Sequence, residues 1–206
     1  MASKFTFDSF SEPEYKIMDR NIRQAYKMVD HAIKQLITAI GILGTSSRNT
    51  VYSYDMSGIL DAARVEFGGN DIKALGEAKD KLLSIKNKFR RGGMTLIRHN
   101  SEGKHKNRNT IAEAETPGKK QWYGPSFFNE MTDGLHSRPR IVIHEFGHSI
   151  GLDHEFQGIA FTGDGNGTAR NTGPAQVAIG ADGLALFCYR IYTRRYTNKM
   201  KLMHFD

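Results

Sequence analysis

The chain has 206 residues, with 29 lysines and arginines against 22 aspartates and glutamates, a formal charge of +7 and a pI near 9.5. That is one domain's worth of sequence, and no apolar run is long enough to cross a bilayer, which excludes a membrane-spanning helix. The single cysteine, Cys188, sits in an apolar run and predicts a buried free thiol, so a disulfide framework is excluded.

In chain order, the N-terminal stretch MASKFTFDSF lacks the apolar centre of a signal peptide. The expectation is synthesis in a reducing cytoplasm, with function there or export by a specialised secretion system that needs no signal. Glu12 to Ile40 reads as a long helix opening at Pro13 and stopping at Gly41. Its apolar positions are Ile17, Tyr26, Val29, Ile33, Leu36, Ile37 and Ile40. Met56 to Phe67 reads as a short helix. Asn70 can cap a third, with Ile72, Leu75, Leu82, Ile85 and Phe89 facing inward and Gly92-Gly93 ending it. Residues 1–92 therefore form a helical part, and 93–206 a sheet-containing part of the same domain. In the second part, MTLIRH and NTIAEAE read as strands paired across the polar turn NSEGKHKNR, and QWYGPSFF as a third strand or strand–loop.

The chemistry concentrates in SRPRIVIHEFGHSIGLDHEFQG, Ser137 to Gly158. His144 and His148 are four apart, so a helix puts both imidazoles on one face. Glu145 sits beside the first. This is H-E-x-x-H: two neutral imidazoles for Zn2+ and a glutamate as general base. Ser137 can cap the helix, Pro139 suits its first turn, and Gly151 suits its end. Ile141, Val142, Ile143, Phe146 and Ile150 make it a buried helix. Burying two histidines and a glutamate needs a reason, and a metal provides one.

A catalytic zinc takes three protein ligands and keeps one position open. No glutamate follows Glu155, so a later glutamate on a second helix is excluded. The downstream candidates are Asp153, His154, Glu155, Asp164, Asp182, His204 and Asp206. HEFGHSIGLDH fits H-E-x-x-H-x-x-G-x-x-H at every fixed position and resembles the metzincin metalloproteases, which implies His154 as third ligand. KLMHFD has Met203 at the place of the metzincin methionine turn; the alternative is an ordinary core methionine. A second resemblance covers about Arg64 to Tyr192. VEFGGND, KKQWYGPSFFNE, SRPRIVIHEFGHS and GADGLALFCYRIY, in that order, resemble the aspzincins, the deuterolysin and peptidyl-lysine endopeptidase group. That resemblance names Asp153, in DHEFQG, as third ligand. The shortened segment after His148 favours His154, with Asp153 as the rival. The tyrosine that would steady the oxyanion is Phe156 in one family's pattern and Phe205 in the other's; Tyr123, Tyr189 or Tyr192 are candidates to replace it. Asp182 stands where lysine-specific relatives place acid in a substrate pocket, but their second acid is Ala185 here; its other reading is a helix N-cap.

These resemblances imply an α+β zincin-like metallopeptidase domain, helix-rich, with a small sheet beside the active-site helix. In such peptidases a strand edge holds the substrate backbone, and TIAEAE or QWYG could do so. The Gly-rich stretch from Gly158 to Pro174 reads as a loop, and a helix after it, broken at Gly180, carries Leu184, Leu186, Phe187, Ile191 and Tyr192 onto the zinc helix. The function expected is a zinc-dependent metalloendopeptidase with metal ligands His144, His148 and His154 and catalytic Glu145. It would act on a protein or peptide substrate, as a bacterial toxin with an inhibitor or immunity protein as a further partner. The alternatives are a zinc hydrolase of peptidoglycan amides and a basic nucleic-acid-associated protein with structural zinc. Basic residues cluster at 86–108 and 190–201, but aromatics are not interleaved with them, which speaks against nucleic acid.

Overall fold

The computed structural model describes residues 4–46, 51–99, 111–129, 137–153, 155–156, 159–161, 169–171 and 179–195. Helix α1 (Glu12–Thr45) starts where expected. Pro13 lies in its first turn, and the Glu14 carboxylate accepts the Ser11 N–H at 3.0 Å. The helix does not stop at Gly41. Neither Gly41 nor Gly44 takes a left-handed conformation, and Ile42 and Leu43 pack on the core, which outweighs about 1 kcal/mol of propensity per glycine. The inward face is Met18, Ile22, Ala25, Val29, Ala32, Ile33 and Leu36. Ile37, expected inside, is exposed; it follows Leu36 by one position and so points away from that face.

Helix α2 (Tyr54–Phe67) is capped by Ser53, whose hydroxyl accepts the Met56 N–H, and closed by Gly68 at φ +73°. Helix α3 (Ile72–Arg91) is capped by Asp71 rather than Asn70: the Asp71 carboxylate accepts the Ala74 N–H at 2.8 Å. Leu75, Leu82, Ile85 and Phe89 are buried as expected, while Ile72, in the first turn, is exposed. Gly92 and Gly93 end the helix with positive φ.

Strands β1 (Thr6–Asp8), β2 (Thr95–Arg98), β3 (Ala112–Ala114) and β4 (Lys120–Tyr123) form one sheet in the order β1-β2-β4-β3. The first three in that order run parallel; β3 is antiparallel to β4. The expected hairpin of β2 with β3 does not form, because β4 lies between them. Burial explains the order. Leu96, Gln121 and Tyr123 are fully buried and belong in the interior, whereas every residue of β3 is half-buried and belongs at an edge. QWYG is thereby an interior strand. The fold is a helix-rich α+β arrangement with a small mixed sheet.

Helix α4 (Pro125–Asn129) follows β4, and α5 (Arg138–Ser149) carries the H-E-x-x-H segment. Strands β5 (Glu155–Phe156), β6 (Ile159–Phe161) and β7 (Ala169–Asn171) pair antiparallel, so part of the stretch read as a loop is strand. Helix α6 (Ala181–Thr193) starts at an N-cap of Gly180; Asp182 is inside the first turn and is not the cap. Leu184, Leu186, Phe187 and Ile191 are buried, but Tyr192 is partly exposed against the His31 ring. Cys188 is buried and free, and burial pushes its thiol pKa up. Among the described residues no helix is long and apolar enough to cross a membrane.

Helix α5 packs against α1, α3 and α6, with β3 beside it. Phe146 anchors its rear face: the ring stacks on Phe89 of α3 at 4.0 Å and meets Phe5 edge-on at 5.9 Å. Its position between Glu145 and His148 thus turns the histidines away from the core.

Candidate metal centre

The two histidines of α5 converge. His144 Nε2 and His148 Nε2 are 2.9 Å apart, with the rings at 89° to each other. An oxygen atom lies beside each Nδ1. His148 Nδ1 lies 2.6 Å from the Leu152 carbonyl oxygen, and His144 Nδ1 lies 3.0 Å from Asp182 Oδ1. A carbonyl only accepts, so His148 carries its hydrogen on Nδ1 and its Nε2 is a lone pair in the neutral ring. The Asp182 carboxylate lies at ion-pair distance from His144, without hydrogen-bond geometry at Nδ1. The 2.9 Å contact is a hydrogen bond when His144 carries its hydrogen on Nε2; with that hydrogen on Nδ1 the two rings face lone pair to lone pair, an arrangement that suits a cation between them. Burial opposes a charge on His144, but Asp182 and Glu145 outweigh it, and the pKa is raised. The surroundings favour positive charge at this point.

Glu145 is almost fully buried, with Oε1 4.0 Å from His144 Nε2. A second layer fixes the helix that bears it. Tyr123 donates its hydroxyl to Gln121 Oε1 at 2.7 Å, Gln121 Nε2 donates to Ser149 Oγ at 3.0 Å, and Ser149 donates to the Glu145 carbonyl at 3.1 Å. This chain ties β4 to the last turns of α5. The Tyr123 hydroxyl is therefore engaged away from the histidines. The Tyr189 hydroxyl accepts from Arg195 at 3.1 Å.

The local backbone accounts for the arrangement. Gly151 sits at φ +91°, its N–H donates to the His148 carbonyl, and the Leu152 N–H donates to the Gly147 carbonyl. This glycine-closed helix end turns the chain so that the Leu152 carbonyl meets His148 Nδ1. On the other side, α6 approaches closely: a Cβ on Gly147 would stand 3.0 Å from the Ala181 Cβ. The Ala181 N–H donates to the Asp153 carbonyl at 3.0 Å. Together these bring Asp182 to His144.

At the start of α5, Ser137 occupies the N-cap position, yet its buried hydroxyl makes no hydrogen bond among the described residues; only its carbonyl is used. Arg138 has a different task. Its guanidinium donates to the carbonyls of Phe127 and Phe128 at 2.6 and 2.7 Å, fastening α4 to α5.

Of the expected ligands, His144 and His148 are brought together and Glu145 lies beside them. His154 is outside the described residues, as are Asp164, Met203, His204, Phe205 and Asp206. Asp153 is exposed. Among the described residues no group of three or more His, Cys, Asp or Glu side chains could hold a metal ion. A complete ligand set therefore needs a residue from outside them. Sequence reasoning missed the contact of Asp182 with His144 and the role of Leu152. The available signals were the carboxylate at the start of a helix and the glycine between His148 and Leu152.

Compared with family models and with curated proteins, the chain gives no match.

Proposed function

We propose that the protein is a zinc-dependent endopeptidase. The observation that carries this reading is the pair of facing Nε2 atoms, with the Leu152 carbonyl bonded at one Nδ1 and the Asp182 carboxylate 3.0 Å from the other, on a helix that also bears a buried carboxylate. Metal-binding histidines are held in this way, by a carboxylate or a backbone carbonyl on the second nitrogen. The donor set of His144 and His148 suits zinc, with His154 as the third ligand and Asp153 as its rival. A zinc ion held there would supply Lewis acidity. Glu145 takes a proton from the attacking water and delivers it to the leaving amine. A structural site would close with a fourth ligand and has no use for that carboxylate.

The edge strand β3 supports a peptide as substrate. Ile111 and Glu115 exchange hydrogen bonds with the β4 side, through the Gly124 N–H and the Lys120 carbonyl. The alternation of an antiparallel pair then turns the N–H and C=O groups of Ala112 and Ala114 outward. An extended chain can add to that edge beside α5.

The test is digestion of casein and of purified cell-wall sacculi, side by side, by zinc-loaded wild type and by Glu145→Gln. The expected result is peptide release from casein that Glu145→Gln reduces about 10²–10⁴-fold, the range for a lost general base. Cleavage confined to sacculi would transfer the reading to peptidoglycan amides, and undiminished activity in Glu145→Gln would remove Glu145 from the chemistry.

A further inference from the structure

We propose that Gln121 is a positioning residue: through Ser149 it fixes the edge strand β3, and the extended peptide that adds to it, at a set offset from the helix α5. The proposal rests on the peptidase reading above and gives a task to residues that carry no part of the chemistry.

Gln121 is an unusual occupant of an interior strand, where it and Tyr123 are fully buried. Packing alone does not ask for this polar pair, since replacing all the partners of a buried hydrogen bond by apolar groups of the same shape is nearly neutral in stability. What the amide adds is direction. The Tyr123 hydroxyl donates to Oε1 at 2.7 Å, which leaves Nε2 to donate to Ser149 Oγ at 3.0 Å. The register gives the two side chains a particular place. Gln121 stands opposite Ala114, and Tyr123 stands opposite Ala112. Ala112 and Ala114 are the residues whose outward N–H and C=O groups receive the peptide in the reading above. The relay therefore begins directly behind the substrate edge.

It ends at the metal helix. Ser149 follows His148 directly, and its hydroxyl donates to the Glu145 carbonyl at 3.1 Å, one turn back. The backbone grips the same residue. In the turn between β3 and β4, the Gly118 N–H donates to the Ser149 carbonyl at 3.4 Å. Gly151 lies against that turn too: a Cβ built on it would stand 3.8 Å from the Pro117 Cβ. The β3–β4 hairpin is thus clamped to the last turn of α5 by one side-chain bond and one long backbone bond, both on Ser149. A peptide on β3 then arrives at a fixed distance from the facing histidines and from Glu145. Attack on its carbonyl needs that precision, because a misplacement of about 1 Å can cost about 10²-fold in rate. Without the Gln121 bond the hairpin keeps its edge and α5 keeps its histidines, but the offset between them is less fixed.

The test is the dependence of kcat and KM on peptide length. Fluorogenic peptides are used, from ones that span only the cleaved bond to ones long enough to lie along β3. The enzymes are zinc-loaded wild type, Gln121→Met, Ser149→Ala and the double variant, each checked for folding by urea unfolding and for zinc by chelator competition. In the wild type, lengthening the peptide should raise kcat about 10–100-fold, because contacts remote from the cleaved bond serve to place it. In Gln121→Met most of that gain should vanish, while KM still falls with length because β3 is intact. Ser149→Ala should behave alike, and it carries the test if Gln121→Met does not fold. The double variant should lose little more, because both substitutions break one bond. A kcat lowered by the same factor at every length would make the relay a mere support of α5 and would overturn the proposal. A wild type whose kcat does not change with length would overturn it as well. A wild type that cleaves no peptide of any length would overturn the peptidase reading itself, and the proposal with it.

Discussion

His144 and Asp182 meet across two helices, with Nδ1 and Oδ1 3.0 Å apart. They are 38 positions apart in sequence, and the contact exists because α5 and α6 cross at small residues. Gly147 and Ala181 allow the approach, and the Ala181 N–H is tied to the Asp153 carbonyl. On the far side of the pair, His148 Nδ1 donates to the Leu152 carbonyl at 2.6 Å. One histidine is thus oriented by a neighbouring helix and the other by the end of its own.

The second arrangement depends on Gly151, whose φ of +91° a side chain disfavours. Gly151→Ala should cost about 1–2 kcal/mol of stability, the penalty for a left-handed residue with a Cβ. It should also lower zinc affinity about 10–100-fold through the lost Leu152 contact. Gly151→Asn, which tolerates this region better, should be milder on both counts. Urea unfolding and chelator competition measure the two effects, and a variant that loses neither would show that the turn does not orient His148.

Much of this was legible in the sequence because it is local. The H-E-x-x-H spacing, the Gly151 stop, the Gly92-Gly93 stop and the buried face of α3 at Leu75, Leu82, Ile85 and Phe89 follow from helix periodicity and capping. What was misread depended on distant partners. The α1 helix passes Gly41 because Ile42 and Leu43 find a core to pack on. Strands β2 and β3 looked like a hairpin, but burial of Leu96 and Gln121 places β4 between them. Asp182 looked like a cap, and its actual contact requires knowing which helix lies across from it. The Gln121–Ser149 bond joins residues 28 apart and has no local signature.

The outer edge of β3, at the end of the described sheet, gives a separable prediction. Ala114→Pro removes an N–H that faces away from β4, a position where a strand tolerates proline. The variant should fold and bind zinc as wild type does, yet lose activity on an extended peptide, with kcat/KM reduced about tenfold for one lost backbone hydrogen bond. Steady-state kinetics on a peptide substrate check this. Unchanged kcat/KM would mean that the substrate does not add to this edge.

Glu66 gives a pH prediction. Burial pushes its carboxyl up to about 7, with the Arg190 guanidinium only partly opposing. The folded chain then holds this proton more tightly than the unfolded chain does. The associated stability is complete below the ordinary value of 4.5 and is lost as pH rises through about 7. Relative to Glu66→Gln, the wild type should therefore lose up to about 3 kcal/mol between roughly pH 5 and pH 8. Urea midpoints of both proteins across that range provide the comparison, and a difference that stays constant with pH would contradict it.

The most direct measurement is a zinc titration of metal-free wild type, His154→Ala and Asp153→Asn, monitored by chelator competition. The wild type should bind about one zinc per chain, as a single catalytic-type site requires. His154→Ala should lose affinity sharply, and Asp153→Asn should lose no more than about 10–100-fold. A sharp loss in Asp153→Asn with an unaffected His154→Ala would exchange the third ligand for its rival, and a wild type with no affinity for zinc would contradict the metal centre itself.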